Sequence, residues 1–79
     1  MMEPGEIVAR VQSALEGSRA SVEDLTGTRD HFRVTIVAPQ FAGKSLINQH
    51  RMVYEILHDC MEAQGGGIHA LSLSTRAAE

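Results

Sequence analysis

His31 and His69 are the residues in this sequence with the clearest claim to metal chemistry. Each opens a stretch that reads as a β-strand, and a neutral imidazole is a common metal ligand. Two histidines cannot complete a tetrahedral site. Any metal they share must take its other ligands from a partner or a cofactor. Read from their own surroundings alone, they are two unrelated strand-edge histidines.

The other candidates resolve into structure. Gly43-Lys44-Ser45 precedes a helical stretch, but a phosphate loop needs a glycine five residues before Gly43, and Ala38 stands there. The triplet reads as a turn, an exposed lysine and an N-cap. His50 falls on a helical stripe with Leu46, Val53, Leu57 and Cys60, flanked by Ile56, and reads as a core or half-core histidine with a satisfied hydrogen bond. Cys60 is the sole cysteine and reads as a buried thiol. His58 lies off the stripe, at the surface. Ser45 follows no strand-to-helix elbow, and no spacing links it to His50 and an acid, so a serine–histidine–carboxylate set is not supported. Lys44 and Arg51, extended by Arg29 and Arg33, form a candidate basic patch for nucleic acid or a partner. The bland reading of that patch is a solvated face.

These residues must be positioned by a small scaffold. The 79 residues read as one domain, 1–79, which buries only about 60% of its unfolded surface. A hydrophobic fraction of 43% is ordinary for a globular chain and excludes disorder as the first reading. Ten acidic residues against seven basic ones leave a formal charge of −3, the wrong sign for a generic nucleic-acid binder. Phe32, Phe41 and Tyr54 are too few for a base-stacking platform. One cysteine permits no internal disulfide and fits a reducing, cytoplasmic setting. The first residues carry no apolar run and read as no signal peptide, and no stretch approaches the ~20 apolar residues of a membrane span.

Pro4 suits a first helical turn, and Ile7, Val8, Val11, Ala14 and Leu15 recur at helical spacing until Gly17. Ala20 to Leu25 predicts a weak strand. The turn chemistry of Thr26 to Asp30 follows, then a strong strand from His31 to Ala38. Its Phe32, Val34, Ile36 and Ala38 share one face. A short turn makes this pair antiparallel. Helix is expected from Ser45 to Gln64, as one helix or two with a tight break, stopped by Gly65-Gly66-Gly67. The last strand is expected over 68–74, with a frayed tail from Thr75. The strong strand, the helical crossover and the last strand form a β–α–β unit, so these strands are parallel and start at one end of the sheet. That brings His31 and His69 to one edge. Their side-chain parities differ, and only twist at a strand's first residue reconciles them.

Phe41-Ala42-Gly43-Lys44-Ser45-Leu46, then Gln49-His50-Arg51-Met52-Val53-Tyr54, then Ile68-His69-Ala70-Leu71-Ser72 together resemble the BolA family across nearly the whole chain. The resemblance implies an α+β, class II KH-like fold, α-β-β-α-α-β, with a three-stranded mixed sheet and helices packed on one face. It places a break near His50 that gives a helix-turn-helix-like unit. The chain departs from many relatives after Thr75, where it lacks their Pro-x-x-Trp stretch and terminal helix. It also lacks the Gly-x-x-Gly loop of true KH domains. The resemblance further implies a non-enzymatic partner of a monothiol glutaredoxin, sharing a bridging [2Fe–2S] cluster with it and glutathione. The isolated chain would hold none. His69 is the implied ligand near the last strand, and His31 is the one candidate for the loop-side ligand. Mixed sulfur and nitrogen ligation of this kind has precedent in histidine-ligated clusters. Some relatives regulate transcription by binding DNA, which here would draw on Lys44, Arg51 and Arg33. A homodimer remains open, and no membrane role is expected.

Overall fold

The computed structural model describes residues 2–78. Helix α1 spans Pro4–Ala14, strand β1 Arg19–Asp24, strand β2 His31–Ala38, helix α2 Leu46–Ile56 and strand β3 Ala70–Ala77. Short 3₁₀ turns cover Pro39–Phe41, His58–Cys60 and Glu62–Gln64. The sheet order is β1-β2-β3, with β1 antiparallel and β3 parallel to the central β2. The architecture is α+β with a three-stranded mixed sheet.

The alternation read in β2 decides which face is covered. Phe32, Val34, Ile36 and Ala38 are buried, whereas Arg33 and Thr35 are exposed. The parallel register sets Leu71, Leu73, Thr75 and Ala77 beside those four buried residues, on the same face. α1 supplies Ile7 and Val11, with Leu15 just beyond its end, and α2 supplies Val53, with Leu57 just beyond its end. Both helices therefore lie on one face, α1 against β1 and α2 against β3. Phe41, from the turn after β2, is fully buried in the same core. Ser45 caps α2 by accepting the Asn48 backbone N–H at 3.2 Å.

Four expectations need correction. First, α2 runs unbroken through His50 and ends at Ile56, so the helix-turn-helix-like pair reduces to one α-helix followed by two 3₁₀ turns. The cause is pairing further on. Met61 bridges Ile68 in parallel, the Glu62 N–H donates to the Ile68 carbonyl at 2.7 Å, and the Ile68 N–H donates to the Cys60 carbonyl at 2.9 Å. Groups that a continued helix would engage are thus taken by a strand-like contact. Second, the last strand is Ala70–Ala77, not 68–74, because β2 offers it partners up to Ala38, opposite Ala77. The Thr75–Ala77 stretch is paired rather than frayed. Third, the stripe of α2 is displaced: Leu46 is 58% exposed, while Gln49 is buried. Fourth, Ala14 on α1 is exposed.

Candidate metal centre

The carbonyl of Asp30, the residue just before β2, accepts the backbone N–H groups of both His69, at 2.7 Å, and Ala70, at 3.1 Å. This fork draws the residue ahead of β3 onto the start of β2. His69 precedes the regular strand, so the pleat does not dictate its direction. The His31 and His69 rings lie with centroids 5.0 Å apart and planes tilted by 56°.

Each imidazole is held by a carboxylate on the same ring atom. His31 Nδ1 donates to Asp30 Oδ1 at 2.9 Å, and His69 Nδ1 donates to Glu62 Oε2 at 2.8 Å. No protein group among the described residues engages either Nε2. The Thr28 hydroxyl also donates to Asp30. That bond, with the one from His31, lowers the Asp30 carboxyl to about 2. The His69 side chain is 57% exposed and that of His31 35%, so a partner can reach both.

Two local structures support this pair. On one side, the turn after β1 is ordered by the Asp24 carboxylate, which accepts the backbone N–H groups of Gly27 at 2.9 Å and Arg29 at 3.1 Å. Arg29 adopts a φ of +60° there, and its guanidinium pairs with Glu3. On the other side, Gly66 lies so close to Cys60 that an added Cβ would meet its carbonyl carbon and oxygen at 2.2 Å. The Gly66 N–H donates to the Met61 carbonyl at 2.9 Å. This compact segment sets Glu62 against His69.

This pair could supply at most two nitrogen ligands to a metal centre. With ring centroids 5.0 Å apart, the two imidazoles are direct neighbours. The described residues contain no group of three or more His, Cys, Asp or Glu able to hold a metal ion. The remaining ligands of a [2Fe–2S] cluster would have to come from outside the chain.

The other singled-out residues lie elsewhere. Arg33 is on the uncovered face of the sheet and pairs with Glu23 at 3.3 Å. Lys44, just before α2, and Arg51, within it, are exposed and have no ion-pair partner among the described residues. With Arg29 and Arg33 both engaged by acids and Arg33 on the opposite side of the sheet from α2, the four cations do not form one patch. His50 is half-buried, within the core or half-core range expected, but its Nε2 is buried without a hydrogen-bond partner among the described residues, contrary to the satisfied bond expected. His58 is exposed. Cys60 is buried, and desolvation raises its thiol pKa. Sequence reasoning missed Asp30, Glu62 and Gln49. The adjacency of Asp30 to His31 was a usable signal. Glu62 carried none, because its stretch read as helix.

The sequence profile of the family described as BolA-like protein matches residues 3–79. The chain belongs to the BolA-like family. It is 33% identical over 75 residues to Protein BOLA1, chloroplastic, of Arabidopsis thaliana, covering 95% of this chain and 45% of that one. It is 37% identical over 49 residues to the DNA-binding transcriptional regulator BolA of Escherichia coli, covering 62% of this chain and 44% of that one. The chain thus spans less than half the length of these BolA-like relatives. Among solved structures, BolA1 from Arabidopsis thaliana superposes with a TM-score of 0.80 at 29% identity, over 98% of this chain and 94% of that one. The BolA domain of SufE1 from Arabidopsis thaliana gives 0.78 at 30% identity, over 94% and 90%. No helix among the described residues of this BolA-like chain is long and apolar enough to cross a membrane.

Proposed function

We propose that the chain is a non-enzymatic adaptor that pairs with a monothiol glutaredoxin and shares a bridging [2Fe–2S] cluster with it, in cluster trafficking or iron regulation in a reducing cytoplasm. The observation that carries this reading is the His31–His69 pair, two carboxylate-held imidazoles 5.0 Å apart at an accessible sheet edge. His69 and His31 are the nitrogen ligands. A glutaredoxin cysteine and a glutathione thiolate supply the sulfur ligands. The chain's own part is to present two preset nitrogens and to leave the rest of the coordination sphere to its partner.

The test mixes the chain with a monothiol glutaredoxin, glutathione, iron and sulfide, and records visible absorbance and circular dichroism. His69→Ala should abolish the spectrum of the mixed complex, and His31→Ala should alter it. A spectrum unchanged by His69→Ala would sink the assignment.

A second reading, a DNA-binding regulator, is favoured by the similarity to the DNA-binding transcriptional regulator BolA of Escherichia coli and by the exposed Lys44 and Arg51, which have no ion-pair partner among the described residues. Its binding should weaken steeply with salt. The net charge of −3 and the single helix at 46–56 weigh against it. Gel shifts showing no DNA affinity at low salt would remove it.

A further inference from the structure

The sequence and the family resemblance both stop at the two histidines; the structure adds what stands behind them. Asp30 and Glu62 come from opposite sides of the pair, one from the turn before β2 and the other from the 3₁₀ turn Glu62–Gln64. Each reaches Nδ1 of its own histidine, and neither reaches the other's. We infer that Glu62 and Asp30 are positioning residues: each carboxylate keeps the proton of its neutral histidine on Nδ1 and so leaves Nε2 unprotonated as the metal-binding atom.

A neutral imidazole has one N–H and one acceptor nitrogen, and the hydrogen bond made by one nitrogen determines which atom can bind metal. A carboxylate accepts and does not donate when ionised, so it selects Nδ1–H. Carboxylate partners of this kind fix both the tautomer and the ring plane of metal-binding histidines, and their loss typically costs about 10–100-fold in affinity. The two partners are built differently. Asp30 shares Oδ1 among His31 and the hydroxyls of Thr28 and Thr26. Glu62 has His69 as its one side-chain partner among the described residues. Glu62 is in turn anchored by its backbone N–H to the Ile68 carbonyl at 2.7 Å, one residue before the histidine it holds. The broken end of the crossover thereby acquires a purpose. A helix continued through residue 62 would carry this carboxylate on along its own axis.

The part of this inference that concerns metal rests on the reading proposed above; the tautomer does not. The first measurement therefore uses the chain alone. Long-range ¹H–¹⁵N spectra of the histidine rings, at a pH where they are neutral, should show His31 and His69 protonated at Nδ1. Glu62→Ala should move the His69 population to Nε2–H and leave His31 unchanged. Asp30→Ala should do the converse. Glu62→Gln, whose amide can accept from Nδ1–H or donate to a bare Nδ1, should leave a mixture of the two tautomers. Wild-type rings protonated mainly at Nε2, or a His69 tautomer indifferent to Glu62→Ala, would overturn the inference. The second measurement uses the complex reconstituted with glutaredoxin, glutathione, iron and sulfide. Glu62→Ala should loosen cluster retention about 10–100-fold with Glu62→Gln falling between it and wild type. Equal retention by all three overturns the role toward metal. A wild-type chain that takes up no cluster, yet shows the expected tautomers, refutes the proposed function and leaves the positioning assignment standing.

Discussion

Gln49 is the side chain whose burial the sequence least advertised. Its Nε2 donates to the Lys44 carbonyl at 3.0 Å, and its Oε1 accepts the Thr75 hydroxyl at 2.8 Å. One amide thus ties the turn before α2 to the far end of β3. Gln49→Ala should lower stability by about 1–3 kcal/mol, the cost of leaving buried polar groups unpaired; urea unfolding measures it. Asp59 offers a test by pH. Its carboxyl pairs with the Arg10 guanidinium at 2.5 Å, and that hydrogen bond lowers it from an ordinary value of 3.8. A carboxyl depressed in the folded state contributes stability above its unfolded value and loses it as pH falls through the folded one. The urea midpoint of wild type should therefore exceed that of Asp59→Asn at pH 7, and the two should converge below about pH 4. A constant gap down to pH 2 would refute this. The His31–His69 juxtaposition was legible because strand order alone carries two strand starts to one edge. Gln49 was not, because a stripe drawn by hydrophobicity takes Leu46 as its anchor, and the apolar residue there is the exposed one.

Among the elements, β2 was read to its boundaries and α1 nearly so, since alternation and helical spacing are properties of the segment itself. The end of α2 and the limits of β3 were not. No glycine or proline marks Leu57, and what ends the helix there is the bridge between Met61 and Ile68, a contact made only in the folded chain. β3 likewise takes its length from β2. Gly66 gives this segment a direct test. Gly66→Ala places a methyl group where the Cys60 backbone already lies, and that backbone is bonded to Ile68 and cannot yield without moving it. The substitution should cost about 1–3 kcal/mol in urea unfolding and shift the ring resonances of His69. At the other end of α2, Ser45→Ala should cost about 1 kcal/mol through loss of the bond to the Asn48 N–H.

At the scale of the whole molecule, the core lies on one face of a sheet only three strands wide. β2 is the strand paired on both sides, and its Phe32, Val34 and Ile36 are fully buried. Its amides should exchange slowest with solvent, only through global unfolding, while those of the Glu62–Gln64 turn exchange faster by local opening. Hydrogen exchange followed by NMR decides this, and equal protection in the two places would contradict it.

The forked carbonyl of Asp30 has a last consequence. The two histidines stand together only when β3 has docked in parallel against β2, a pairing of segments far apart along the chain. In the unfolded chain they are separated by the whole crossover. Anything gripped by both rings is therefore gripped by the native state and not by the unfolded one, and by mass action it must favour the native state as its concentration rises above its dissociation constant. Docking comes first and occupancy second: a misdocked β3 could hold nothing through both rings, and any group that the two rings did hold would make the chain resist unfolding more, the tighter it was held.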